Sequence, residues 1–157
     1  MSPCRSPACT GCLEISIPRR APQLISDTIF VAGDEAPAAP LARDYSAKDA
    51  QNLRVELSTS PEHPAAGLTT QVRVSLAPGD GLQPYLGAWG HLLAASHDLV
   101  DTIHTHPIYV TEPAPGEKQI QFNIFFPREA VYRVWVQFQR QGKVNTVAFT
   151  IPVSSLK

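Results

Sequence analysis

From Leu53 onward, apolar and polar residues alternate with the period of two that a strand with one buried face demands. Leu53, Val55 and Leu57 form one such row, and Val72, Val74 and Leu76 a second. Ile120, Phe122 and Ile124 follow, then Tyr132, Val134, Val136 and Phe138, and last Val147, Phe149, Ile151 and Val153. Between the second and third rows, His91 to Ser96 and Thr102 to Val110 flank a short polar segment, His97 to Asp101, and read as a hairpin. The segments PEHPAAG, APGDG and Gln141-Gly142 supply breaks between strands. Seven strands in about 100 residues predict an all-β domain, a two-sheet antiparallel sandwich. Tyr132, just after FPREAV, is placed to turn its hydroxyl back onto the corner that precedes its strand. The face opposite its row is polar (Arg133, Gln137, Gln139), apart from Trp135, which is expected to cover a sheet edge, pack on the N-terminal segment or meet a partner.

The first fifty residues read differently. They predict an irregular extension over 1–50, ahead of a sandwich over 51–157. Leu13 to Pro18 alternates briefly, Leu24 to Val31 is capable of forming an added edge strand, and the Ala/Pro run from Ala36 to Ala42 reads as an extended linker. All three cysteines, Cys4, Cys9 and Cys12, fall here, outside any apolar row. Their role is either incidental or soft-metal or redox chemistry through Cys9-x-x-Cys12; a zinc site would need more ligands than these three. No apolar signal core precedes them, which by itself points to the cytoplasm.

Composition narrows the function classes. A net charge of -1 over 157 residues gives no broad attraction to nucleic acid or an anionic membrane, and no apolar run approaches the roughly 18 residues of a spanning helix. Fifteen prolines argue against long helices. The sequence has no G-x-S-x-G elbow, no Gly-rich phosphate loop and no HExxH helix, so it is read as a non-enzyme.

Candidate chemistry lies in the histidines, four of whose five members fall between His91 and His106. His104 and His106 are two apart on a predicted strand, so their rings share a side, with Cα atoms roughly 6–7 Å apart. A hairpin centred near Asp98 and Leu99 pairs residues whose numbers sum to about 197, which sets His91 opposite His106. Three imidazoles on one patch suit Cu(II), Zn(II) or Ni(II), with copper and zinc leading, and with His97 or Asp98 as an added ligand only if the turn folds back. A one-residue slip would send His91 to the other face and dissolve the site. The competing expectation is that His91 and His106 are buried and hydrogen-bonded to backbone or to Tyr85, bracing the hairpin of a structural or protein-interaction module. His63, between two prolines' neighbourhoods in PEHP, reads as a loop residue.

The run Tyr85-Leu86-Gly87-Ala88-Trp89-Gly90-His91, with His104-Thr105-His106-Pro107, Phe126-Pro127 and Gly142-Lys143, resembles the immunoglobulin-like domains of bacterial exported proteins of the YtkA-like and FixH-like kind. The resemblance covers roughly Leu53 to Val153. It implies an immunoglobulin-like sandwich, a periplasmic or cell-envelope setting, metal handling with copper favoured, and His91, His104 and His106 as ligands. A second envelope protein, met through an edge strand or Trp135, is the macromolecular partner it allows.

Overall fold

Every apolar row identified in the sequence becomes the buried side of a strand, because pleating sends alternate side chains to opposite faces. The structure is a computed structural model that describes residues 12–16, 23–27, 32–33, 39–51 and 53–156. It contains β1 (Cys12–Ser16), β2 (Gln23–Asp27), β3 (Lys48–Ala50), β4 (Leu53–Ser60), β5 (Thr69–Ala77), β6 (Leu82–Gln83), β7 (His91–Ser96), β8 (Thr102–Thr105), β9 (Pro107–Thr111), β10 (Lys118–Phe125), β11 (Ala130–Arg140) and β12 (Lys143–Val153). No helix occurs among the described residues.

The chain divides into two compact units, Met1–Pro40 and Leu41–Lys157. In the first, β1 and β2 pair antiparallel, with Cys12 opposite Asp27. The segment expected as an added edge strand, Leu24 to Val31, thus has its first four residues in a two-stranded ladder with β1, while its last residues, 28–31, lie outside the described set. Residues 36–38 of the Ala/Pro run lie outside it too.

The second unit holds two antiparallel sheets in a sandwich-like arrangement, ordered β3-β4-β5-β10-β9 and β12-β11-β7-β8, with β6 added to the end of β11. Val55, Val72, Val74, Leu76, Ile120 and Phe122 from the first sheet and Leu92, Val134, Val136, Phe138, Phe149 and Ile151 from the second belong to one buried cluster. Burial of each such side chain stabilises the fold by roughly 1.5–3 kcal/mol relative to exposure. The seven anticipated strands are present, joined by the short β3 and β6 and increased again because the Thr102 to Val110 segment is broken at His106. β8 pairs with β7 in the second sheet, whereas β9 pairs with β10 in the first, so the chain changes sheets there. Pro107, which has no N–H to donate, stands at the change, as a proline at the start of a strand can. A bulge at Ile108 accompanies it, since Phe122 faces Pro107 while Gln121 faces Tyr109.

Tyr132 is fully buried and its hydroxyl bonds the Arg128 carbonyl at 3.2 Å and Asp101 Oδ2 at 3.1 Å, closing the corner as expected. Burial, and secondarily the Asp101 carboxylate, push its phenol up to about 12. Arg140, unmarked by the apolar pattern, ends the inward row of β11; it is 4% exposed and bonds both the backbone carbonyl and the carboxylate of Asp80. Trp135 is half-buried on the outer face of β11, in register with Leu93 on one side and Ala148 on the other.

Candidate metal centre

The β7–β8 ladder pairs Leu92 with Thr105 and Leu93 with His104, so partner numbers sum to 197, as the hairpin spacing implies. Continuing that register sets His91 beside His106. Leu92 and Ala94 point into the core, which leaves His91 and Leu93 on the outer face of the second sheet, and His104 shares that face through its pairing with Leu93. On the other side of β7, His91 is paired with Gln137 of β11.

The three rings meet. Centroids of His91 and His106 are 4.8 Å apart, as are those of His104 and His106, both pairs edge-on; His91 and His104 are stacked at 5.7 Å. One nitrogen from each ring can be chosen so that all three lie within 4.8 Å of one another. His91 and His104 are half-buried and His106 is exposed, so solvent reaches the cluster from one side. Burial first, and then the charge that His106 and His91 would carry, hold the His104 imidazole below its usual pKa. Burial and then His91 do the same for His106. Both effects favour the neutral, metal-ligating form of the ring.

The approach to His91 is built from a tight turn. Tyr85 and Ala88 exchange both backbone hydrogen bonds, at 2.7 and 3.1 Å, and the two residues between them, Leu86 and Gly87, have φ of 49° and 84°. Positive φ at both central positions is the type I′ hairpin turn. Gly87 suits it, but Leu86 is an L-residue in the left-handed region, a conformation that costs roughly 1–2 kcal/mol. The turn aims the Tyr85 carbonyl at His91 Nε2, 2.8 Å away, and the Tyr85 ring meets the His91 ring edge-on at 5.9 Å. Gly90 then lets the chain pass close to β11, since a Cβ there would lie 3.2 Å from the Gln137 carbonyl oxygen and 3.5 Å from the Phe122 ring.

A carbonyl oxygen can only accept, so the hydrogen on neutral His91 sits on Nε2. The lone pair is therefore on Nδ1, which accepts a hydrogen bond from His104 Nε2 at 3.4 Å. A donated N–H to a carbonyl on the far side of the ring is how metal-binding histidines are generally oriented. The sequence carries no signal for this contact, because it is made by a backbone atom that any residue at position 85 would offer.

His97 and Asp98 are not part of the cluster. They occupy the turn at the other end of β7, six and seven residues beyond His91, which is about 20 Å along an extended strand. Asp98 is engaged there: Arg128 Nη2 bonds its two oxygens at 2.6 and 2.9 Å, and the Ser96 hydroxyl donates to it at 2.6 Å. The Arg128 guanidinium, followed by the Ser96 hydroxyl, holds its carboxyl well below the usual carboxylate range. Arg128 Nε also pairs with Asp101 at 2.6 Å, so this end of the hairpin is tied to the Tyr132 corner. The fold-back that would have let His97 or Asp98 add a ligand does not occur; the turn is instead held in an ion-paired clamp, whose arginine lies thirty residues away in sequence. His97 and His63 line a separate groove with Arg43, Tyr45 and Glu62. Cys4 and Cys9 lie outside the described residues, and Cys12 begins β1.

Of the bracing expectation, His91 does bond backbone at Tyr85, but it is only half-buried, and the exposed His106 ring makes no hydrogen bond among the described residues. Beside the cluster, Leu82, Trp89, Pro107, Ile108, Tyr109 and Lys118 line an open groove.

No curated protein matches the chain. Residues 47–155, which include the whole histidine cluster and most of the second unit, match the model of a domain of unknown function, and the chain belongs to that family, DUF8832.

Proposed function

We propose that this protein is a non-enzymatic binding domain for a divalent transition metal, Cu(II) or Zn(II), held by His91, His104 and His106. The supporting observation is the convergence of three imidazole nitrogens, all within 4.8 Å of one another, on an outer sheet face that an ion can reach from solvent. Neutral imidazole is a borderline ligand that suits both ions. Among the described residues no carboxylate or thiol joins the three rings, and binding and release of the ion, not turnover of a substrate, is the activity proposed. The resemblance to immunoglobulin-like domains of the YtkA-like and FixH-like kind supports a place in metal handling at the cell envelope.

The test is calorimetric titration of the full chain with each ion, alongside a His104→Ala, His106→Ala double variant and a variant lacking Cys4, Cys9 and Cys12. One-to-one binding at micromolar or tighter affinity, lost in the histidine variant and kept in the cysteine variant, is expected. Binding that follows the cysteines instead, or no binding, refutes the assignment.

A second reading has its own support. β9 is an edge strand with no charged residue, and Ile108 and Tyr109 on it are 45% and 62% exposed. Uncharged edges of this kind accept a further strand from a partner. On this reading the protein is an interaction module and the histidines brace its surface.

A further inference from the structure

We propose that β9 is the surface through which two copies of this chain associate, strand against strand, antiparallel and about a two-fold axis at Tyr109. This rests on the interaction-module reading above and names its partner. An open sheet edge presents unpaired backbone groups to any other strand, and proteins blunt such edges with charge, brevity or cover. Three of the four edges in the second unit are blunted in this way. β3 is three residues long and carries Lys48 and Asp49, and β8 is four residues long. The edge of β12 is met by Asp44, whose backbone exchanges hydrogen bonds with Thr150 at 3.0 and 3.1 Å. β9 differs. Pro107 removes one donor at its start, but the residues that follow, Ile108-Tyr109-Val110-Thr111, hold no charge, and Tyr109 to Thr111 keep regular pairing with β10 on one side only. In a regular strand Ile108 and Tyr109 would take opposite faces. The bulge at Ile108 breaks that alternation, and both side chains are exposed, with the exposed Trp89 in the same groove.

The occupant that fits this edge is β9 of a second copy. Cross-strand pairs stabilise a sheet when aromatic or β-branched residues face each other, and like charges opposed destabilise it. Turned end for end against itself, with Tyr109 facing Tyr109 of the second copy, β9 sets Ile108 opposite Val110 and Pro107 opposite Thr111. Every pair within the strand is then neutral. Just outside it, His106 falls opposite Glu112, an imidazole against a carboxylate. A two-fold pairing uses the same edge of both copies, so association closes at two and leaves this edge covered. The paired strands with Ile108, Tyr109 and Trp89 would remove on the order of 1,000 Å2 from water, the lower limit for a specific interface and the size of a reversible one.

The test is sedimentation equilibrium of the full chain from micromolar to millimolar concentration, reduced and in EDTA so that neither a disulfide nor a metal links the copies. A monomer–dimer equilibrium is expected. Tyr109→Lys and, separately, Tyr109→Glu each set like charges across the axis and should weaken dimerisation by about 10-fold or more. Mixed in equal amounts, the two variants should recover it, since opposite charges then face each other. Val144→Lys, at an exposed position on β12, should leave it unchanged. Circular dichroism of each variant verifies that the sandwich is intact. A chain that stays monomeric at millimolar concentration, a dimer indifferent to Tyr109→Lys, or a mixture that fails to recover would overturn the two-fold pairing. A capped peptide with the sequence of residues 107–111, followed by amide protection along β9, tests the underlying reading separately. Peptide binding by a chain that does not dimerise leaves β9 a strand acceptor and removes only the second copy as its partner; no binding overturns both.

Discussion

Replacing His106 with alanine separates a metal ligand from a brace, because the structure predicts different outcomes with and without metal. The His106 side chain is exposed and makes no hydrogen bond among the described residues; its contacts are the two edge-on ring pairs at 4.8 Å. Removing such an exposed side chain without metal should change stability by about 0.5 kcal/mol, and by about 1–3 kcal/mol only if both ring contacts count fully. With metal the position differs, since a ligand that binds only the folded state stabilises it by about 2.7 kcal/mol at one hundred times its dissociation constant. For a unit of this size, that corresponds to a rise in melting temperature of about 10 °C. The assay is a thermal melt of wild type and His106→Ala, each with and without Zn(II), near pH 7.5. Wild type should gain about 10 °C at saturating zinc, and the variant should gain little while melting near the wild type when zinc is absent. A variant that melts many degrees lower without metal, together with a wild type indifferent to zinc, would mean that the imidazoles serve as a brace and that the reasoning from exposure is wrong.

Acid should weaken the metal-free fold through the same residues. His104 and His106 have folded pKa values below the ordinary 6.5, so the unfolded chain takes up protons first; their contribution to stability is present above about pH 6.5 and is lost as pH falls through the depressed folded values. Urea midpoints measured between pH 8 and pH 5 should therefore drop on acidification, and the His104→Ala, His106→Ala variant should show a shallower drop; equal slopes would contradict the assignment. Tyr132→Phe should cost about 1–2 kcal/mol in urea denaturation, because a buried hydroxyl joining the Arg128 carbonyl to Asp101 is removed, which takes a donor from that carbonyl while Asp101 keeps its Arg128 ion pair. A loss below a few tenths of a kcal/mol would show that the corner is held by the Arg128 ion pairs alone.

Much of this architecture follows from periodicity. A strand has only two faces, so the rows at Val72 to Leu76, Ile120 to Ile124 and Tyr132 to Phe138 could bury in only one way, and turn spacing set the β7–β8 register that brings His91 toward His106. The Tyr132 corner was equally legible, since it depends on a local contact four residues away. What was not legible is long-range or carried by the backbone. Nothing near Asp98 announces that Arg128 will claim it, and so the proposed extra ligands at His97 and Asp98 were misplaced by nearly the length of a strand. The change of sheet at His106-Pro107 depends on whether β10 or β7 offers the better partner, a comparison between strands distant in sequence.

By itself, then, the sequence determined the strands, the inward rows and the meeting of three histidines, because each follows from a local period of two and a short turn. Only the tertiary structure decided which nitrogen His91 presents, how far it stands from His104 and which side of the cluster is open. Those are set by a carbonyl on a neighbouring turn and by the packing of Gly90 against β11, contacts whose energies depend on distance in space and not on spacing along the chain.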